Sequence, residues 1–225
     1  MRTLSWVAAL AALSITLPAA AAETSESGMK GDPQAGKELV MQGKADNPMV
    51  QACKNCHKAN GAGQAMAKFP RLAGQNPRYM VQQLKDFASG DRGNYPFMTN
   101  LAKGLTEQEM WDAAAYFAQQ EAPVSAGDAS QELVQQGERI ARRGLPEKDV
   151  PACTACHGPQ GQGVPPVFPQ IAGQHASYIQ KQLADWKAGK RANDPAQMMK
   201  DVAPQLTESQ MKAVAAYFNQ VGAGS

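Results

Sequence analysis

The sequence predicts an all-α protein made of two tandem domains. Three observations predict it. Apolar residues recur at helical spacing wherever a pattern is clear, and no stretch reads convincingly as a strand. Phe69-Pro70-Arg71-Leu72-Ala73-Gly74-Gln75 returns as Phe168-Pro169-Gln170-Ile171-Ala172-Gly173-Gln174, and Ala115-Tyr116-Phe117 returns as Ala216-Tyr217-Phe218. Each copy also carries one C-x-x-C-H: Cys53-Lys54-Asn55-Cys56-His57 and Cys153-Thr154-Ala155-Cys156-His157. A period near 100 residues marks a repeated domain, because solenoid units run roughly 20–50 residues.

Residues 1–22 are expected to be an export leader. Arg2 is the only charge before Glu23, Leu4 to Leu17 is apolar, and Pro18 leads into Ala19 to Ala22. The competing reading is an uncleaved anchor, since Leu4 to Ala22 is 19 residues without a charge, near the lower end for crossing a bilayer. A proline followed by alanines favours cleavage. The N-terminal domain then runs over 23–121, a Pro- and Gly-bearing linker over 122–129, and the C-terminal domain over 130–225.

In the first copy Asp32 is placed to cap a helix with Pro33 at its first position and Leu39 and Val40 facing inward. After the C-x-x-C-H turn, Asn76 caps and Pro77 opens a helix bearing Met80, Leu84 and Phe87, closed by Gly90. Thr106 and Glu109 form a capping box ahead of Met110, Ala114 and Phe117. In the second copy Ser130 precedes Leu133, Ile140 and Ala141; Tyr178, Ile179, Leu183 and Trp186 follow; and Thr207 and Gln210 open the last helix, with Met211, Val214 and Phe218 inward. Helices this short are marginal alone in water. Domains with so few aromatics (6% of the chain) need a large apolar body to pack on.

The motif supplies one. Two thiols three residues apart on one turn can each add to a vinyl group of the same porphyrin, and the next residue projects an imidazole at the iron. Cys53, Cys56, Cys153 and Cys156 are the only cysteines, so two covalently bound haem c groups use all of them. A zinc site would place its C-x-x-C pairs roughly 15–20 residues apart, whereas 96 residues separate Cys56 from Cys153. A thioredoxin-like pair would sit beside a βαβ pattern. Disulfides within each motif would leave His57 and His157 unexplained.

The second axial position decides what the iron does: an open site invites oxygen or peroxide, and a protein ligand leaves electron transfer. With His57 and His157 proximal, only His175 remains, so two bis-histidine haems are impossible. Counting back from the matched Leu105 and Leu206 pairs Met98 with Met199, each in a loop before the last helix, with Met198 as the rival of Met199. Met80, Met110 and Met211 lie on apolar stripes and read as core. His175 aligns with the cap position Asn76 and reads as a cap or surface residue. The carbonyls of Pro70 and Pro169 are expected to hold the proximal rings, because a ligating histidine usually donates its other N–H to a fixed acceptor. Arg92 and Arg191 are expected either at haem propionates or as solvated loop residues.

Without the leader the formal charge is +1, and neither half has a strong sign. Such balance argues against nucleic-acid binding, while a local charged patch can hide inside a neutral total. Export fits thioether formation, which takes place outside the cytoplasm.

Two C-x-x-C-H domains, each with F-P-x-[LI]-A-G-Q and a later methionine, resemble the cytochrome c4 group, the dihaem members of the class I cytochromes c, over residues 31–221. The resemblance implies two cytochrome c folds about a pseudo-twofold axis, with haem edges close at their interface. It implies a bacterial periplasmic, often loosely membrane-associated carrier of single electrons from a quinol-oxidising complex toward a terminal oxidase. It assigns Cys53, Cys56, Cys153 and Cys156 to thioethers, and His57 with Met98 and His157 with Met199 to the two irons. Alternatives are a cytochrome subunit of a flavoprotein dehydrogenase, a dihaem peroxidase with one open iron, and a non-haem module held by zinc or disulfides.

Overall fold

The computed structural model describes residues 30–124 and 127–222. The expected leader, 1–22, lies outside the described residues. In the N-terminal half the order is α1 (Pro33–Gln42), the one-turn α2 (Lys54–His57), α3 (Pro77–Ser89), α4 (Pro96–Lys103) and α5 (Glu107–Ala118). The C-terminal half repeats it as α6 (Gln131–Arg143), α7 (Cys153–His157), α8 (Ala176–Lys187), α9 (Met198–Val202) and α10 (Glu208–Gln220). The described residues form no strand, only isolated bridges such as Gln64 with Phe69 and Val164 with Phe168.

The helix starts follow their local chemistry. Asp32 accepts the Gln34 N–H at 2.8 Å, and Asn76 accepts the Tyr79 N–H at 3.0 Å. Both capping boxes are closed in both directions, Thr106 with Glu109 and Thr207 with Gln210. Gly90 ends α3 at φ 94°, a left-handed conformation that costs glycine little.

In each half the first helix crosses the last, α1 on α5 and α6 on α10. The crossings are backbone to backbone. A Cβ built on Gly36 would lie 2.0 Å from the Asp112 carbonyl oxygen, and one on Gly137 would lie 1.9 Å from that of Ala213. Around the crossings sit two separate cores. Val40, Met110 and Phe117 belong to the first, and Ile140, Met211 and Phe218 to the second.

Three features differ from the sequence-based expectation. Met98 and Met199 stand on helices rather than loops, because Pro96 pre-sets the first turn of α4 while Leu101 and Ala102 anchor its end in the core. Pro204 stops α9 after one turn, and a 3₁₀ turn (Ala203–Gln205) completes the segment. Arg92 and Arg191 are not solvated: they are 3% and 4% exposed and lie between the two halves. Arg92 donates to Gln83 of its own half at 2.9 Å, and to Tyr178 and Gln182 of the other, both at 2.9 Å. Arg191 mirrors this, donating to Gln182 at 2.8 Å, Gln83 at 2.9 Å and Tyr79 at 3.3 Å.

A second mirrored set lies beside it. The Arg71 N–H donates to the Gln174 side chain, which returns a bond to the Arg71 carbonyl, both at 2.9 Å. Gln75 and Gln170 exchange bonds of 2.9 and 3.0 Å in the same way. His175 belongs to this interface and is not a surface residue. It is 7% exposed, its Nε2 donates to the Ala62 carbonyl at 2.8 Å, and its side chain caps nothing.

Two outcomes follow for unfolding in urea followed by circular dichroism. Gly137→Val should destabilise the C-terminal half by about 1–3 kcal/mol, because α6 must move away from α10. Gln83→Leu leaves Arg92, Arg191 and Asn193 each short of an acceptor and should cost about 1–3 kcal/mol.

Candidate functional site

One continuous cavity of about 1910 Å³ reaches into both halves. Its walls include Cys53, Cys56, His57 and Met98 from the first half and Cys153, Cys156, His157, Met198 and Met199 from the second. Leu72, Met80 and Phe117 make its apolar lining on one side, and Ile171, Leu183 and Phe218 on the other. A pocket for one drug-sized ligand holds roughly 300–1,000 Å³, so this space suits two large apolar groups.

The two histidines are oriented alike. His57 Nδ1 lies 3.1 Å from the Pro70 carbonyl, and His157 Nδ1 lies 2.9 Å from that of Pro169. A carbonyl can only accept, so Nδ1 carries the proton and Nε2 keeps the lone pair that a metal needs. Burial pushes both histidines below the usual imidazole range, and the carbonyl bond opposes it only in part. Both rings are therefore neutral. Phe69 and Phe168 pack against them at ring-centroid distances of 6.3 and 6.2 Å.

All four cysteines are free thiols. Burial pushes Cys53 and Cys153 up to about 11 and also raises Cys56, which keeps these thiols protonated. Among the described residues no cluster of histidine, cysteine or carboxylate is placed to hold a bare metal ion. The donor set fits a group that brings its own iron and bonds the sulfurs covalently.

The turn after each motif is tied back to it. The Gly63 N–H donates to the His57 carbonyl at 2.9 Å, and Gly163 to that of His157 at 2.7 Å. In the first copy the Gln64 side chain adds bonds to the Asn55 and Cys56 carbonyls at 3.2 and 3.1 Å. Directly after the histidine, Gly158 adopts φ 84° and ψ 157°, whereas the first copy holds Lys58 at φ 62° and ψ 158°. That region is essentially reserved for glycine, and another residue there costs about 1–3 kcal/mol.

The methionines are held differently in the two halves. Met98 lies in the first turn of α4. On the other side the Asp194 carboxylate accepts from the Met199 and Lys200 N–H groups at 2.7 and 3.1 Å and from Trp186 Nε1 at 2.9 Å. Sequence reasoning missed Asp194, although Asp-Pro ahead of a short helix is a turn-and-cap signal. It also missed Gln83 and Gln182, whose signal was a polar pair matched across the repeat.

The family profile described as cytochrome c matches residues 33–121 and again residues 135–222. A thiosulfate dehydrogenase electron acceptor from Stutzerimonas stutzeri is 40% identical over 224 residues, 99% of this chain and 97% of its own. Cytochrome c4 of Pseudomonas aeruginosa is 40% identical over 81% of this chain and 88% of its own. Among solved structures, reduced cytochrome c4 from Pseudomonas stutzeri matches with a TM-score of 0.73 at 36% identity, covering 85% of this chain and 99% of that one. Thiosulfate dehydrogenase from Marichromatium purpuratum matches with a TM-score of 0.76 at 38% identity, covering 83% of this chain and 39% of that one. The repeat, its two oriented histidines and these likenesses agree, and the chain belongs to the cytochrome c family, in its dihaem cytochrome c4 group, as an electron carrier with two covalently attached haem c groups.

Proposed function

We propose that each half holds its haem with its own motif. Cys53 and Cys56 form the thioethers and His57 is the proximal iron ligand in the first half; Cys153, Cys156 and His157 do the same in the second. Met98 and Met199 are the distal ligands. The observation that carries this reading is that one cavity is lined by all eight of these residues. When bound, each haem supplies a one-electron iron couple.

The side chains set the conditions for it. Pro70 and Pro169 fix the proximal rings and make their Nε2 atoms better donors. Thioether ligands favour ferrous iron and raise the potential relative to a second histidine. Leu72 and Ile171, with the rest of the apolar wall, exclude water. With His57 and Met98 on one iron and His157 and Met199 on the other, the protein would leave oxygen and peroxide no place to bind, which favours a carrier over a dihaem peroxidase.

The division of the chain follows from this reading. Residues 1–22 are a cleaved leader, 23–121 the first haem domain, 122–129 a linker and 130–225 the second domain. The protein works in the bacterial periplasm. Membrane association is read as peripheral, and among the described residues no helix is long and apolar enough to cross a membrane.

The donor is a dehydrogenase of the thiosulfate-oxidising kind and the acceptor a terminal oxidase. The full-length match to a thiosulfate dehydrogenase electron acceptor supports the donor. A quinol-oxidising complex is the second reading, and the matches to proteins named cytochrome c4 favour it.

The ligand set is checked by the near-infrared band from thioether to ferric iron in the exported holoprotein. Met98→Ala and Met199→Ala should each remove half of it, and Met198→Ala should leave it whole. If Met198→Ala halves the band and Met199→Ala does not, the second ligand is one residue earlier. The donor is checked by mixing the oxidised holoprotein with thiosulfate dehydrogenase and thiosulfate. Reduction within the enzyme's turnover time is expected, and no reduction would return the donor role to the quinol-oxidising branch.

A further inference from the structure

The segments that carry Met98 and Met199 are built unequally. Phe87 and Tyr95 match Trp186 and Asp194 at the same repeat offset that matches Arg92 with Arg191. Met98 follows Tyr95 by three positions, however, and Met199 follows Asp194 by five. The second copy therefore has two more residues between the seam and its methionine. They fall in an exposed turn, Pro195 to Gln197, where Ala196 and Gln197 take φ of 52° and 58°. That left-handed conformation is costly for a residue other than glycine, and it persists only where the surroundings hold it.

The anchors also differ in kind. In the first half Phe87 and Tyr95 meet edge to face with 6.5 Å between ring centroids. The Tyr95 hydroxyl accepts from Gln182 across the seam at 3.2 Å, and Leu101 and Ala102 bury the far end of α4. In α9 no residue is fully buried. A clasp replaces that anchorage. One oxygen of the Asp194 carboxylate accepts from Trp186 Nε1, and the other accepts from the Met199 and Lys200 N–H groups. Trp186 is itself fixed, packed on the second core with the Arg191 guanidinium 4.0 Å over its ring. Hydrogen bonds to an ionised acceptor are roughly twice as strong as neutral ones. Among the described residues Asp194 makes no ion pair, so no cation competes for its oxygens.

The same clasp selects between neighbours. Met198 and Met199 both line the cavity, and successive side chains on a helix point about 100° apart. Turning α9 so that Met198 took the place of Met199 would carry the N–H groups of residues 199 and 200 off the carboxylate.

We propose that Asp194 is a positioning residue that seats Met199, rather than Met198, over the second haem, and that without it the second iron alone opens to an outside ligand. The proposal rests on the reading of Met199 as the second distal ligand. Asp194 acts through the backbone of that residue, and the first half has no carboxylate in the equivalent place because Tyr95 stands there.

The test titrates the ferric, exported holoprotein with imidazole and follows the near-infrared band from thioether to iron. In this exchange an imidazole nitrogen bonds to the iron as the methionine sulfur leaves, with no change of oxidation state. In Asp194→Ala one half of the band should disappear at an imidazole concentration about tenfold or more below that needed in the native chain, and the other half should keep its native midpoint. Asp194→Asn, whose amide oxygen can still accept from both backbone groups, should shift the same half by about threefold. Met198→Ala should change nothing while Asp194 is present. Combined with Asp194→Ala it should lower the midpoint further, because the loosened segment has no second sulfur to offer.

Equal shifts on both halves of the band would mark a general loosening and overturn the proposal. So would a native midpoint in Asp194→Ala or, if that variant is not exported, in Asp194→Asn. A Met198→Ala effect of the same size with and without Asp194 would overturn the choice between the two methionines. Met199→Ala separates the two levels: a whole band in that variant defeats the ligand assignment, whereas a halved band beside a native midpoint in Asp194→Ala defeats only the role of Asp194.

Discussion

Each half depends on one hydrogen bond, from the His57 ring to a proline carbonyl 13 residues on in the first copy and from the His157 ring to one 12 residues on in the second. It joins the C-x-x-C-H turn to the F-P-x-[LI]-A-G-Q segment, and both segments line the cavity. Other contacts serve the same closure. Gly63 and Gly163 return the chain to the histidine carbonyl, and Leu72 and Ile171 donate to the Gly61 and Gly161 carbonyls at 2.7 and 2.8 Å. The imidazole that results is neutral, with its proton on the far nitrogen and its lone pair turned to the cavity.

Above that closure the two crossings at Gly36 and Gly137 hold the helices that carry the aromatic pairs Tyr116-Phe117 and Tyr217-Phe218, whose phenylalanines line the cavity. Backbone-to-backbone packing leaves the remaining volume to the cofactor rather than to side chains. This is why a chain with 6% aromatic residues can build two domains. The interior is completed by a group that the amino acids only frame.

Much of this was legible in the sequence because it is written in local or repeated form. Caps at Asp32, Asn76, Thr106 and Thr207 are decided within three residues of each helix start. The proline carbonyl acceptors could be read from spacing. Contacts between the halves were not legible, because they join residues about 90–110 positions apart. Arg92 and Arg191 looked like loop cations, and His175 like a surface cap, since a sequence pattern does not reveal which polar faces meet. Asp194 was hidden for another reason: its two backbone partners lie five and six residues ahead, outside the usual N-cap span.

The shared glutamines carry a further consequence. Gln83 Oε1 receives donors from Arg92, Arg191 and Asn193, and Gln182 Oε1 receives them from Arg191, Arg92 and Asn94. Each oxygen thus solvates a guanidinium from its neighbour as well as its own. The duplicated copies share acceptors in this exchange: either one, excised, would leave its guanidinium to its own glutamine and asparagine and to water. A change at either glutamine therefore alters the polar surroundings of both guanidinium groups at once, and the seam responds as a single unit.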